Sequence, residues 1–294
     1  MSYNKVFNPV NFVNESYYFR FFGSFTSIKR RFLLSTLLKK WLIQFDLKPS
    51  GIVHVGAHLA QERDLYRELS IEPVLWIEAH PAIFKVAKEL LFHYSNQRII
   101  NAALWNKSGE LIVFTEAGNE GSSSSLLDLG LITAVHPQVV ARKQIIVRTS
   151  TLAEVLVENW NFTHKIDFLL IDTQGAESKV IEGLGEQISH FKYVLAEVST
   201  KKLYKKAMLF NNFIELLDAK NFQLLCSHVN STTGWGDALF VRRDVLLAMG
   251  IVPSKNNNTK ESNGLALVTR LRVMLIRIGI PNSIVARINR KFKY

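Results

Sequence analysis

Three acidic residues each close a short hydrophobic run. Asp172 ends Asp167-Phe-Leu-Leu-Ile-Asp172, Glu197 ends Tyr193-Val-Leu-Ala-Glu197, and Glu78 ends Pro73-Val-Leu-Trp-Ile-Glu78. Runs of this length and composition read as strands buried on both faces, so a carboxylate at the end faces the edge of a sheet, not its core. Asp172 and Glu197 are the candidate catalytic pair: a carboxylate placed there can take the proton of a reacting hydroxyl. Asp172 can equally anchor the amino-acid end of a ligand or partner the N-terminus of the next helix. Glu197 can be the second acid or an acceptor contact. Glu78, closing the run after the first glycine turn, is placed to accept from ribose hydroxyls. Glu177 falls in a first helical turn and reads as a cap before it reads as chemistry. His54, His58 and His80 lie near the same edge. No His-Glu-x-x-His pattern or cysteine cluster accompanies them, so no metal site is expected.

The segment that must position these groups is Gly51 to Glu62. Ile52 to Val55 reads as a strand, Gly56 as its turn, and Leu59, Leu65, Tyr66 and Leu69 recur at roughly helical spacing. A helix starting there would aim unpaired N–H groups at a ligand above the strand. The full G-x-G-x-x-G is missing: Ala57 follows Gly56 and Ala60 holds the third glycine's place. Pyrophosphate is therefore poorly served, and a nucleoside without phosphates, such as S-adenosylmethionine, fits better. Its contacts would be His54, Gly56, Ala57, His58, Glu78, Ala79 and Asp172, with Asn101, Ala102 and Ala103 beside the adenine, where small residues let a flat ring approach. A nicotinamide enzyme is disfavoured by the missing glycines and the lack of a Tyr-x-x-x-Lys pair.

The chain resembles the FkbM family of S-adenosylmethionine-dependent methyltransferases. The residues that carry the resemblance are His54-Val-Gly-Ala-His58, Trp76-Ile-Glu-Ala-His-Pro81, Asn101-Ala-Ala-Leu-Trp-Asn106, Gly121-Ser-Ser-Ser-Ser-Leu126, Thr149-Ser-Thr-Leu152, Asp167 to Glu177, Ala196-Glu-Val198 and Gly236-Asp-Ala-Leu-Phe-Val241. The family's first strand more often ends Asp-x-Gly-Ala-Asn; here His54 and His58 stand at the Asp and Asn places. The resemblance implies a Rossmann-like class I methyltransferase fold: an α/β architecture with a mostly parallel seven-stranded sheet, a C-terminal antiparallel hairpin and helices on both faces. It also implies O-methylation of a sugar or other hydroxyl acceptor, in polysaccharide or natural-product biosynthesis. The alternative is a non-catalytic binding module on the same fold, recruited to membrane or glycan by its basic ends.

The chain has 294 residues, a net charge of +11 and 48% hydrophobic residues. Residues 1–48 hold 8 Lys/Arg against 2 Asp/Glu, residues 254–294 hold 9 against 1, and residues 49–253 hold 19 against 22. The body is thus nearly neutral, no nucleic-acid partner is expected, and the basic ends point to peripheral contact with an anionic surface. The expected organisation is a basic aromatic helical extension over 1–48, a methyltransferase domain over 49–252, a polar linker over 253–264 and a basic amphipathic tail over 265–294. A single cysteine, Cys226, and the lack of a signal-like or membrane-spanning run point to the cytoplasm, with contact at the inner face of the membrane as the variant. The sequence assigns no oligomeric state. Residues 27–45 read as an amphipathic helix, either capping the sheet or lying on a membrane surface. Along the body, the patterns predict a strand over 98–104 joined by a tight turn to 110–115, a mobile loop over 118–125, and helices over 82–93, 151–159, 176–190 and 201–220. The last two strands are expected over 222–229 and 237–242.

Overall fold

The computed structural model describes residues 25–118 and 121–251. The polar linker and basic tail expected after residue 252, and the aromatic stretch 1–24, lie outside them. Ten strands are described: β1 (Ile52–Val55), β2 (Val74–Glu78), β3 (Gln97–Asn101), β4 (Ala103–Leu104), β5 (Leu111–Ala117), β6 (Ala141–Ser150), β7 (Phe168–Ile171), β8 (Tyr193–Ser199), β9 (Phe222–Val229) and β10 (Trp235–Arg242). Seven of them form one sheet in the order β3-β2-β1-β7-β8-β10-β9. Every pairing is parallel except those of β10, which runs against both β8 and β9. This is the expected mostly parallel sheet with an antiparallel hairpin.

Both faces of the sheet are covered, which is why its central strands read as unbroken apolar runs. Val53 and Val55 of β1 face one core, shared with Leu152 and Val155, Val180 and Ile181, and Phe213 and Leu217 from the helices Leu152–Glu158, Glu177–Leu184 and Phe210–Ala219. Ile52 faces the other core, with Trp76 of β2 and Leu170 of β7. The helix Phe25–Phe45 closes that side through Leu34, Leu37, Leu38, Trp41, Leu42 and Phe45. The apolar stripe of the N-terminal helix is therefore spent on the sheet.

Four expectations are corrected. First, no helix starts at Leu59. His58 and Ala60 have φ of 47° and 50°, a left-handed backbone that a right-handed helix cannot contain, and the helix begins only at Arg63 and ends at Glu68. Second, 98–104 is not one strand. It divides at Ala102 into β3, in the main sheet, and β4, which pairs parallel with β6. Third, β5 does not fold back on β3 or β4; its antiparallel partner is β6, so β4-β6-β5 is a separate small sheet. Fourth, residues 201–209 are irregular and the helix runs Phe210–Ala219. Leu203, Tyr204 and Ala207 instead pack with Ala117, Ile132 and Val139, making the small sheet and its loops a roof over the large one. Among the described residues no helix is long and apolar enough to cross a membrane.

Candidate active site

Parallel strands deliver their C-terminal ends to one edge, and between β1 and β7 the chain order turns from leftward to rightward winding. A crevice opens outside the strand ends at such a point. Here it is a cavity of about 460 Å³, within the ~300–1,000 Å³ range of small-molecule sites. Gly56 from the tip of β1, Glu78 from β2, Asp172 after β7 and Glu197 from β8 all line it. Because β10 runs the other way, its first residues reach the same edge: Trp235 and Asp237 line the cavity too, and Asp237 sits directly across from Glu197 in the ladder. Phe114, Ser122 and His136 close it from the roof.

Gly56 is required by contact. Its φ is +85°, and a Cβ there would stand 1.8 Å from the Asp172 carbonyl oxygen, so the tips of β1 and β7 meet only over a glycine. Its N–H and that of Ala57 both donate to the Ile77 carbonyl, at 2.9 and 3.0 Å. The left-handed turn then brings the His58 N–H onto Glu78 Oε2 at 2.7 Å, while the His80 N–H donates to Oε1 at 2.7 Å. Glu78 is 7% exposed. Burial pushes its carboxyl up to about 7 against the pull of the His80, His58 and Ala79 amides, and the nearby Asp172 charge adds to the rise. The three amides leave about one of the carboxylate's roughly four acceptor sites open, so the residues present fit a ribose with a hydroxyl that donates into this corner.

The other expected contacts divide. Ala57, His58, Ala79 and Ala102 line the cavity; Asn101 and Ala103 do not. The Asn101 amide donates to the carbonyls of Glu78 and Ala79, at 2.7 and 3.1 Å, bracing the end of β2. His54 lines the cavity but is 3% exposed, bonds Tyr66 Oη through Nδ1 at 2.9 Å and lies 4.7 Å from the Trp76 ring. Burial brings its imidazole down to about 4, opposed by the charge of Asp172, so at neutral pH it carries no charge. The three histidines part company: His58 Nδ1 pairs with the Gln61 amide at 2.8 Å, and His80 Nδ1 accepts from the Ala82 N–H at 3.2 Å as the cap of the helix Pro81–Leu90.

Asp172 and Glu197 are brought together by a residue that the sequence did not single out. The Gln174 amide nitrogen donates to Asp172 Oδ1 and, at 2.9 Å, to Glu197 Oε2. The Trp235 indole N–H donates to Glu197 Oε1. Glu177 stays beneath, accepting on Oε1 from the N–H groups of Thr173 and Gly175, both at 3.0 Å. Burial pushes its carboxyl up to about 7, against those bonds. The serine loop, expected to be mobile, is tied through its last two residues: Ser124 Oγ accepts from the Ala117 N–H at 3.0 Å, and Ser125 Oγ donates to the Gln174 carbonyl at 2.8 Å.

Residues 54–224 match the family model described as Methyltransferase FkbM domain. No curated protein matches the chain. Among solved structures it is similar to magnesium protoporphyrin IX methyltransferase from Synechocystis PCC 6803 with bound SAM, at 12% identity and a TM-score of 0.42, over 81% of this chain and 99% of that one. A SAM-dependent methyltransferase from Aquifex aeolicus is similar at 13% identity and a TM-score of 0.38, over 69% of this chain and 88% of that one.

Proposed function

The chain belongs to the FkbM family of S-adenosylmethionine-dependent methyltransferases, and we propose that its acceptor is a hydroxyl oxygen of a neutral or amine-bearing molecule, a sugar foremost. The observation that carries this reading is the charge of the cavity. Glu62, Glu78, Asp172, Glu197 and Asp237 line it, and among the described residues no Lys or Arg does. A carboxylate or phosphate on the acceptor near the reacting oxygen would meet only like charge, whereas hydroxyl groups find acceptors on every side and Trp235 offers a flat apolar wall.

When bound, the cofactor supplies a sulfonium methyl group and leaves as S-adenosylhomocysteine. The chain's part is to hold and to deprotonate. Glu78 grips the ribose, while Ala79 and Ala102 leave room beside it for the adenine. Asp172 or Glu197 accepts the proton that the acceptor hydroxyl gives up as its oxygen gains the methyl carbon. The roof of Phe114, His136 and the serine loop excludes water.

Release of S-adenosylhomocysteine, measured over methyl glycosides of neutral sugars, amino sugars and uronic acids, tests the reading. Turnover is expected with the first two classes and not with the third. Asp172→Asn is expected to lower kcat by about 10²- to 10⁴-fold while calorimetry still detects cofactor binding. Preference for uronic acids, or full activity in Asp172→Asn, would overturn it.

We also propose that the basic ends of the chain draw it to an anionic surface. The support is their charge set against the near-neutral body.

A further inference from the structure

We propose that Gln174 is the positioning residue of the site: its single side-chain amide holds Asp172 and Glu197 at one spacing and one orientation. The inference rests on the methyl-transfer reading above, in which those two acids face the acceptor. Asp172 and Glu197 leave neighbouring parallel strands, ~4.8 Å apart, and like charges at that separation push their side chains apart. No Lys or Arg among the described residues lines the cavity to compensate. The Gln174 amide does so instead, spending one N–H on Asp172 Oδ1 and the other on Glu197 Oε2. Its orientation follows from its partners. Turned over, it would set its oxygen against two carboxylates; as placed, that oxygen accepts from the Tyr204 hydroxyl at 2.8 Å.

The backbone supports the same conclusion. Gln174 has φ of +58° and is 4% exposed. For a residue with a Cβ that conformation is disfavoured, and glycine or asparagine would adopt it more readily. A turn that served only to join β7 to the helix Glu177–Leu184 would favour either of those. Gly175 follows with φ of +100° against the Tyr204 ring, and the two left-handed residues together swing the Gln174 side chain back over the strand tips. Ser125 then fixes the Gln174 carbonyl at 2.8 Å.

Gln174→Asn and Gln174→Gly test this, because both suit the left-handed backbone and neither can bridge the acids. Gln174→Glu is the third variant, with the same length but no N–H. The first readout is the nitrogen–proton spectrum of the indole groups. There are five tryptophans, and Trp235 is assigned by Trp235→Phe. In the parent, the bond to Glu197 holds its indole proton downfield. In the variants it is expected to move toward the free-indole position, although Gln174→Asn and Gln174→Gly keep a cooperative melting transition and bind S-adenosylmethionine within about threefold of the parent. The second readout is kcat with the best glycoside from the acceptor series, expected to fall roughly 10²-fold with KM little changed. An unmoved Trp235 indole in both Gln174→Asn and Gln174→Gly would overturn the proposal, as would parent-level kcat in them. A parent that bound no S-adenosylmethionine would instead sink the methyl-transfer reading, and the indole signal would still report on Gln174.

Discussion

Burial sets the protonation of Glu78, and that makes cofactor binding a pH measurement. Its carboxyl sits at about 7 in the free protein because the surrounding structure removes water from it. In the proposed site, ribose hydroxyls donate to the ionised form, so binding would expel the proton where one is present. Affinity for S-adenosylmethionine should therefore rise with pH up to about 7 and level off above, with a limiting change of about tenfold per unit below. Calorimetry at about pH 5.5 and about pH 8 checks it; equal affinities would remove Glu78 from the ribose, and Glu78→Gln should abolish the dependence. The same burial acts on stability at Glu177, whose folded value of about 7 lies above the ordinary 4.5. The folded chain holds the extra proton between those values, so this group's contribution declines as pH rises from 4.5 to about 7 and stays low above. Glu177→Gln keeps an oxygen for Thr173 and Gly175 and discards the buried charge. It should raise unfolding free energy at pH 8 by about 1–3 kcal/mol, read from urea midpoints. His54 runs the other way: its folded value of about 4 lies below 6.5, so its contribution is complete above 6.5 and is lost as pH falls toward 4. Glu78, Asp172 and Glu197 were legible in the sequence because each closes an apolar run. Gln174 was not, since its importance comes from a left-handed φ and from two partners on different strands, neither of which composition displays. Trp235 and Asp237 escaped for a related reason: only the reversal of β10 brings its first residues to the edge where the parallel strands end.

At the level of elements, the strand tips are held by contact. Gly56→Ala would put a methyl carbon into the Asp172 carbonyl, and Gly236→Ala one 1.9 Å from the His228 carbonyl. Neither neighbour is a side chain that can swing aside. Each substitution should cost at least about 3 kcal/mol or prevent folding, seen as a lost or strongly lowered melting transition. By contrast Thr151, whose side chain and Glu154 form a capping box at the helix Leu152–Glu158, lies away from the cavity. Thr151→Ala should lower stability by about 1 kcal/mol and leave cofactor affinity unchanged. This helix, like β1, β2, β7, β8 and β9, could be read directly: its start carries its own signal, and the strands are built mainly of apolar residues. The misread elements depend on distant partners. The turn at Asn106–Gly109 looks like a hairpin, but the true partner of β5 is β6, some thirty residues on. Residues 201–209 have helix-forming composition, yet Tyr204 is held against Gln174 and Ser123 in the roof, and tertiary contact outweighs propensity there.

For the whole molecule, the question is which surface remains for an anionic partner. The helix Phe25–Phe45 pairs apolar residues with Lys39 and Lys40, a composition equally suited to lying on lipid. Yet Leu38 is 1% exposed and Phe45 is fully buried, in the core that covers Trp76 and Leu170. That stripe cannot enter a bilayer without leaving the sheet, which would open a core holding the His54–Tyr66–Trp76 cluster. Any attraction of this helix to lipid must then be carried by charge, and the ends of the chain supply charge: 8 Lys/Arg against 2 Asp/Glu in residues 1–48 and 9 against 1 in residues 254–294. Attraction of that kind is screened over about 8 Å at physiological ionic strength and about 3 Å at 1 M. Sedimentation with vesicles containing phosphatidylserine should therefore bring the chain down at low salt and release it in 1 M salt. Vesicles of phosphatidylcholine alone should not bind it. Retention in high salt would show apolar insertion, and if the stripe of Phe25–Phe45 leaves the core to make it, near-ultraviolet circular dichroism should change on binding. Salt-released binding with an unchanged spectrum would place the attraction on the basic ends and leave the cavity, its five acids and its roof as they stand in the free protein.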